Sequence, residues 1–305
     1  MLPSVCTAVL AAEPAPGFRI AVVDVFGDPA GDLDVERDQG ELIAAGATDI
    51  DGDGLRENIH HGDLVSLYVR TDDVEILKFP VDEAGDAKGQ LLASLREIGT
   101  MDAEGELPDA VMFCWESSTL VSSFGATLRP EGRPAYKETI RGWAETDENW
   151  CLTHEIILAL EDLATRGVLV VTIAGNSGPA WVNTYTFAEG VMVVGAIEQD
   201  PDGEWATRNG LIDAYAQSSF EVRLVGEAER PVFGYDIDED GRADIGLKRG
   251  SSHFRRFGTL RETHRVLKGT SFAAPTALKD MLAQGPGRVA PGGPPGGPFF
   301  DESKR

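Results

Sequence analysis

Short apolar runs separated by stretches with helical periodicity recur along most of this chain, and that alternation restricts the fold more than any other feature. Phe18–Val25, Val74–Val81, Asp109–Trp115, Val168–Ala174, Val191–Ile197 and Glu221–Val225 each read as a short strand. Between them, Lys88–Ile98 repeats Leu91, Leu92, Leu95 and Ile98 at helical spacing. Thr153–Arg166 carries Ile156, Ile157, Leu160 and Leu163 on one face, with Gly167 as its stop signal. Glu41–Ala47 reads as a short helical turn after an acidic loop at Gly27–Gly40. Strands separated by helices are expected to build an α/β fold with a mainly parallel sheet and helices on both faces. Ligand sites in such sheets gather beyond the carboxyl ends of the strands. Asp24 and Asn176 stand at such ends.

A second feature carries the chemistry: Lys268-Gly269-Thr270-Ser271-Phe272-Ala273-Ala274-Pro275. Gly269 permits a sharp turn and a close backbone approach. Pro275 reads as a first-turn helix residue, where its missing N–H costs no intrahelical bond. Ser271 would then sit over the positive end of a helix, its own N–H turned toward any oxyanion. The plain alternative is an N-cap serine with no further role.

The string resembles the serine motif Gly-Thr-Ser-x-Ala-x-Pro of the subtilisin-like serine proteases. That resemblance implies an Asp, a His and an oxyanion donor upstream of the serine, in that order. Asp24 closes Ile20-Ala21-Val22-Val23-Asp24, similar to the family's strand-end Asp. His61 lies in His61-Gly62-Asp63-Leu64-Val65, similar to His-Gly-Thr-His-Val. Asn176 lies in Ala174-Gly175-Asn176-Ser177-Gly178, similar to Ala-Gly-Asn-x-Gly. The resemblance implies Ser271 as nucleophile, His61 as base, Asp24 as the partner of His61, and Asn176 as oxyanion donor. His60 competes with His61; the glycine after His61 selects it and makes His60 a surface bystander. His154, His253 and His264 read as structural or solvated.

The likeness spans residues 18–284, with insertions near 119–150 and 227–265 that have no counterpart. Asp24-Val25-Phe26-Gly27 replaces Asp-[Ser/Thr]-Gly, and Leu64 replaces a second His. Phe113-Cys114-Trp115-Glu116-Ser117 stands where the family has its substrate-pairing strand, so no specificity carries over. Lys279 and Asp280 interrupt a helix that is apolar in the family. The function implied is serine endopeptidase action on a protein or peptide substrate. Two other readings stand beside it: an inactive subtilase-like binding module, and a calcium-dependent interaction domain.

The calcium reading comes from two acidic loops. Asp49, Asp51, Asp53 and Glu57, and again Asp236, Asp238, Asp240 and Asp244, occupy positions one, three, five and nine of loops with Gly at six. Position twelve is His60 or Leu247 and not the bidentate Glu of an EF-hand. The alternative is a solvated acidic turn.

Among its 305 residues, 51 Asp and Glu against 27 Lys and Arg give a net charge of −24, which excludes the positive footprint of a nucleic-acid binder. Three cysteines, Cys6, Cys114 and Cys151, fall at unrelated spacings, neither a disulfide framework nor a metal pattern. Cys114 reads as a small core residue. No apolar run approaches the length of a membrane span. Residues 1–17 read as a leader or signal-peptide remnant, which favours an extracytoplasmic location. The basic residues His253, Arg255, Arg256, Arg261, His264 and Arg265 read as internal partners for carboxylates, and 285–305 as a disordered Pro/Gly-rich tail.

Overall fold

The computed structural model describes residues 17–26, 59–82, 85–125, 127–198, 205–226, 233–246 and 266–283. The leader, the expected turn at Glu41–Ala47, the basic cluster and the tail lie outside the described residues. In chain order the strands are β1 (Phe18–Asp24), β2 (Val74–Pro80), β3 (Ala110–Phe113), β4 (Ser118–Leu120), β5 (Leu169–Ile173), β6 (Trp181–Asn183), β7 (Met192–Ala196), β8 (Ala214–Ala216), β9 (Ser219–Glu221), β10 (Arg223–Gly226), β11 (Phe233–Asp236), β12 (Ile245–Gly246) and β13 (Val266–Lys268). The α-helices are α1 (His61–Val69), α2 (Ala87–Thr100), α3 (Arg133–Ala144), α4 (Glu148–Thr165) and α5 (Thr270–Ala283).

A six-stranded sheet runs β2-β1-β3-β5-β7-β8 with every neighbouring pair parallel, as the alternation predicts. Its residues divide by the two-residue period of a strand. Ala21, Val23, Val111, Phe113, Val170 and Val193 turn toward one buried cluster with the apolar faces of α2, α3 and α4. Ile20, Val22, Ala110, Met112, Val171 and Val194 turn the other way, toward Val65 and Val69 of α1 and Ala273, Ala274 and Leu278 of α5. Both faces are covered, so the strands read as continuous apolar runs.

A third cluster lies off the sheet. It joins Ile59, Leu64 and Tyr68 to Phe220, Tyr235, Ile237, Leu267 and Phe272, tying α1 to β9, β11, β13 and the start of α5.

Several boundaries differ from expectation. The run Glu221–Val225 is not one strand: β9 pairs antiparallel with β13, and β10 with β11. Five residues are too few for periodicity to reveal a change of partner. Helix α4 begins at Glu148 and not Thr153, because Asp147 caps it by accepting the N–H groups of Asn149 (2.8 Å) and Trp150 (3.4 Å). Gly167 follows its end with φ +90°, a left-handed turn suited to glycine. Within 119–150 the chain forms α3, whose buried Tyr136 and Ile140 pack with α2 and α4. The Phe124 ring wedges beside it, 4.8 Å from Phe187 and 5.7 Å from Tyr136.

Candidate active site

Asp24 ends β1 and is 2% exposed, with its Oδ1 accepting the N–H of Val25 at 2.7 Å. The carboxylate also meets His61 Nδ1, at 2.8 Å from Oδ1 and 3.0 Å from Oδ2. His61 is the first residue of α1, and Gly62 explains how the helix reaches the strand end. Its N–H donates to Val25 O at 2.8 Å. A Cβ at position 62 would lie 2.7 Å from that oxygen and 2.8 Å from Asp24 Cβ. Only a residue without a side chain lets the helix seat its first turn there.

His60 is not a surface residue. It is buried (6% exposed), and its ring Nδ1 has no hydrogen-bond partner among the described residues. Its N–H donates to Asp63 Oδ2 at 3.0 Å, which anchors the start of α1 and draws His60 inward beside the buried Ile59. His154 sits half-buried on α4, away from this cluster, while His253 and His264 lie outside the described residues.

Ser271 is the second residue of α5 and is buried (5% exposed). Two interactions fix its approach. Gly269 donates its N–H to Ser218 O at 3.0 Å, and the β13–β9 pairing sets Leu267 opposite Phe220. Asn176, beyond the end of β5, accepts both the N–H (2.8 Å) and the hydroxyl (2.9 Å) of Thr270 on its Oδ1. That double acceptance leaves the amide Nδ2 as the donor end of Asn176, and Thr270 is the residue before Ser271 in the chain. On the other side, the His61 ring lies 5.8 Å from the Phe272 ring, centroid to centroid. Contacts thus run from Asp24 to His61 to Phe272, and from Asn176 to Thr270, the two chain neighbours of Ser271.

Pro275 departs from the first-turn expectation. The helix starts at Thr270, so Pro275 lies inside it. Its missing N–H would have bonded Ser271 O, four residues back. The Cys114 thiol donates to that oxygen instead, at 3.6 Å. Cys114 is a buried core residue, as expected, and burial together with the Asp24 carboxylate pushes its thiol pKa up, which keeps it a neutral donor. Cys151 is free and exposed.

Two positioning groups escaped the sequence reading. Glu116, just past β3, accepts the N–H of Asn176 (2.7 Å) and the hydroxyl of Ser177 (2.6 Å), and also the Ser118 hydroxyl. Gly175 makes room for it: with φ +114°, a Cβ there would come within 2.9 Å of Glu116 Oε1. Asn183, fully buried, donates from Nδ2 to Trp115 O and Ile173 O, both at 2.9 Å, and accepts Ser117 N–H at 3.1 Å. It laces together the chain leaving β3 and β5.

Of the acidic loops, Asp49, Asp51, Asp53 and Glu57 lie outside the described residues. In the other, Asp236, Asp238 and Asp244 each offer an oxygen within 4.8 Å of the others. Asp240 is not among them; its Oδ1 accepts the Arg242 N–H at 2.8 Å. Gly241, φ +84°, makes the turn that loop position six requires. Burial raises the Asp244 pKa to about 6, with the Asp238 and Asp240 carboxylates adding to it against the N–H groups of Ile237 and Asp238. Burial, followed by the Asp238, Asp244, Glu239 and Asp236 carboxylates, pushes the Tyr68 phenol up.

Among the described residues no helix is long and apolar enough to cross a membrane. No family model and no curated protein matches the chain. In structure it is similar to a lanthipeptide protease at TM-score 0.43 and 16% identity, covering 87% of this chain and 71% of that one. It is similar to the prenylagaramide maturation protease PagA at TM-score 0.45 and 16% identity, covering 92% and 80%. A cold-adapted subtilisin-like serine proteinase is similar at TM-score 0.43 and 14% identity, covering 90% of this chain and 78% of its own.

Proposed function

We propose that this chain is a subtilisin-like serine endopeptidase acting on protein or peptide substrates. The observation that carries this reading is the buried Asp24 carboxylate bonded to His61 Nδ1, with the imidazole packed on the residue after Ser271. A carboxylate on Nδ1 favours the tautomer that carries its proton there and makes Nε2 the proton-accepting nitrogen. Nε2 takes the hydroxyl proton as Ser271 Oγ bonds to the substrate carbonyl carbon, and the carbonyl π electrons move to oxygen. The developing oxyanion is held by Asn176 Nδ2 and the Ser271 N–H. Imidazolium then protonates the leaving amine as the C–N bond breaks, and water, deprotonated by the same nitrogen, cleaves the acyl-enzyme ester. Glu116 acts through the turn that carries Asn176. Calcium is the ion we assign to the second acidic loop.

A fluorophosphonate probe tests the reading directly. The wild-type chain is expected to label and to cleave peptides, and Ser271→Ala to do neither while keeping its circular dichroism spectrum. Asn176→Ala should lower kcat by about 10²–10³-fold, roughly 2.7–4 kcal/mol, with little change in KM, because its donor acts on the transition state. A wild-type chain that is folded, unlabelled and inactive would leave the binding-module reading in its place.

A further inference from the structure

Asp236 is 4% exposed, and its two oxygens differ. Oδ2 accepts the Gly241 N–H at 3.0 Å; Oδ1 is buried with no hydrogen-bond partner among the described residues. A buried carboxylate oxygen without a donor is costly and calls for a group that the described residues do not supply. Its neighbours are two more carboxylates, Asp238 and Asp244, with ligand atoms all within 4.8 Å of one another. Oxygens bound to a single calcium at 2.3–2.6 Å lie at most about 5.2 Å apart, so the three fit around one ion. Lys279 Nζ meets Asp238 Oδ2 at 3.4 Å.

The loop is also wedged between the helices of the candidate site. Tyr68 of α1 donates its hydroxyl to Ile237 O at 3.0 Å, and its ring lies 5.4 Å from Phe272. Lys279, which meets Asp238, belongs to α5.

We propose that Asp236, Asp238 and Asp244 bind one calcium ion, and that the ion braces α1 against α5. Calcium suits hard, mostly anionic oxygen ligands in flexible geometry, with backbone carbonyls and water completing the shell. The bound charge removes the repulsion among the three carboxylates, so the loop keeps the shape that meets Tyr68 and Lys279. The ion-binding claim does not depend on the peptidase reading, and it is tested in the Ser271→Ala chain so that catalysis plays no part.

Calorimetric titration of that full chain with calcium chloride is expected to show one fewer ion bound after Asp236→Asn, a nearly isosteric change. Asp238→Asn, at a half-exposed position, gives the same test should Asp236→Asn not fold. Terbium emission excited through tyrosine should fall in both variants and in Tyr68→Phe. Calcium should slow amide exchange in α1 and α5 of the parent, and this effect should be lost in the variants. Equal stoichiometry and equal terbium emission in parent and variants would overturn the site. Unchanged exchange in α1 and α5 would overturn the brace, and an equal or larger response to magnesium would overturn calcium as its ion.

Discussion

A methyl group at position 62 would oppose two effects whose magnitudes can be compared. Alanine is favoured over glycine inside a helix by about 0.8–1.0 kcal/mol. Here, however, its Cβ would lie 2.7 Å from Val25 O, a backbone atom that cannot rotate away. Overpacking of this kind costs typically about 1–3 kcal/mol, so the clash should win. Gly62→Ala is therefore expected to lower stability in urea unfolding and to slow fluorophosphonate labelling, as α1 lifts His61 from Asp24. An alanine variant both more stable and equally reactive would sink this account. The same scale shows why the glycine after His61 was informative: it marks a close approach, and the close approach makes the Asp24–His61 contact.

At the scale of elements, helix periodicity located α2 and α4, but caps decided where they start. Asp86 caps α2 by accepting the Gly89 N–H at 3.0 Å, and Asp147 caps α4. Asp147→Ala should cost about 0.5–2 kcal/mol, seen as a lower urea midpoint with an unchanged slope. A midpoint within error of wild type would show that solvent satisfies those N–H groups equally well. Helix α5 illustrates the converse. Lys279 looked out of place in an apolar helix, yet it turns outward to Asp238, while Ala277, Leu278 and Met281 carry the buried face.

At the scale of the whole molecule, one sheet serves two cores. Leu160 packs with the α2–α4 side and Leu278 with the α1–α5 side, both fully buried. Each truncation to alanine should cost about 2–5 kcal/mol. Because both cores share the same strands, either variant should still unfold in a single transition, with circular dichroism and tryptophan fluorescence coinciding. Separate transitions for the two probes would show that the faces fold independently.

The α/β class, the strand-end position of Asp24 and Asn176, and the His-Gly and Gly-Thr-Ser strings were legible in the linear chain. Buried parallel strands must be apolar throughout, covering helices must repeat at their own period, and a close helix-to-strand approach requires glycine. What only the tertiary structure decided was partnership. The splitting of Glu221–Val225 between β9 and β10, and the burial of His60, depend on residues distant in sequence. So do the thiol of Cys114 replacing the hydrogen bond that Pro275 cannot make, the hold of Glu116 on the Asn176 turn, and the exclusion of Asp240 from the carboxylate cluster. Periodicity reports which face of an element is buried, but a hydrogen-bond partner is set by where the backbone brings two distant groups together.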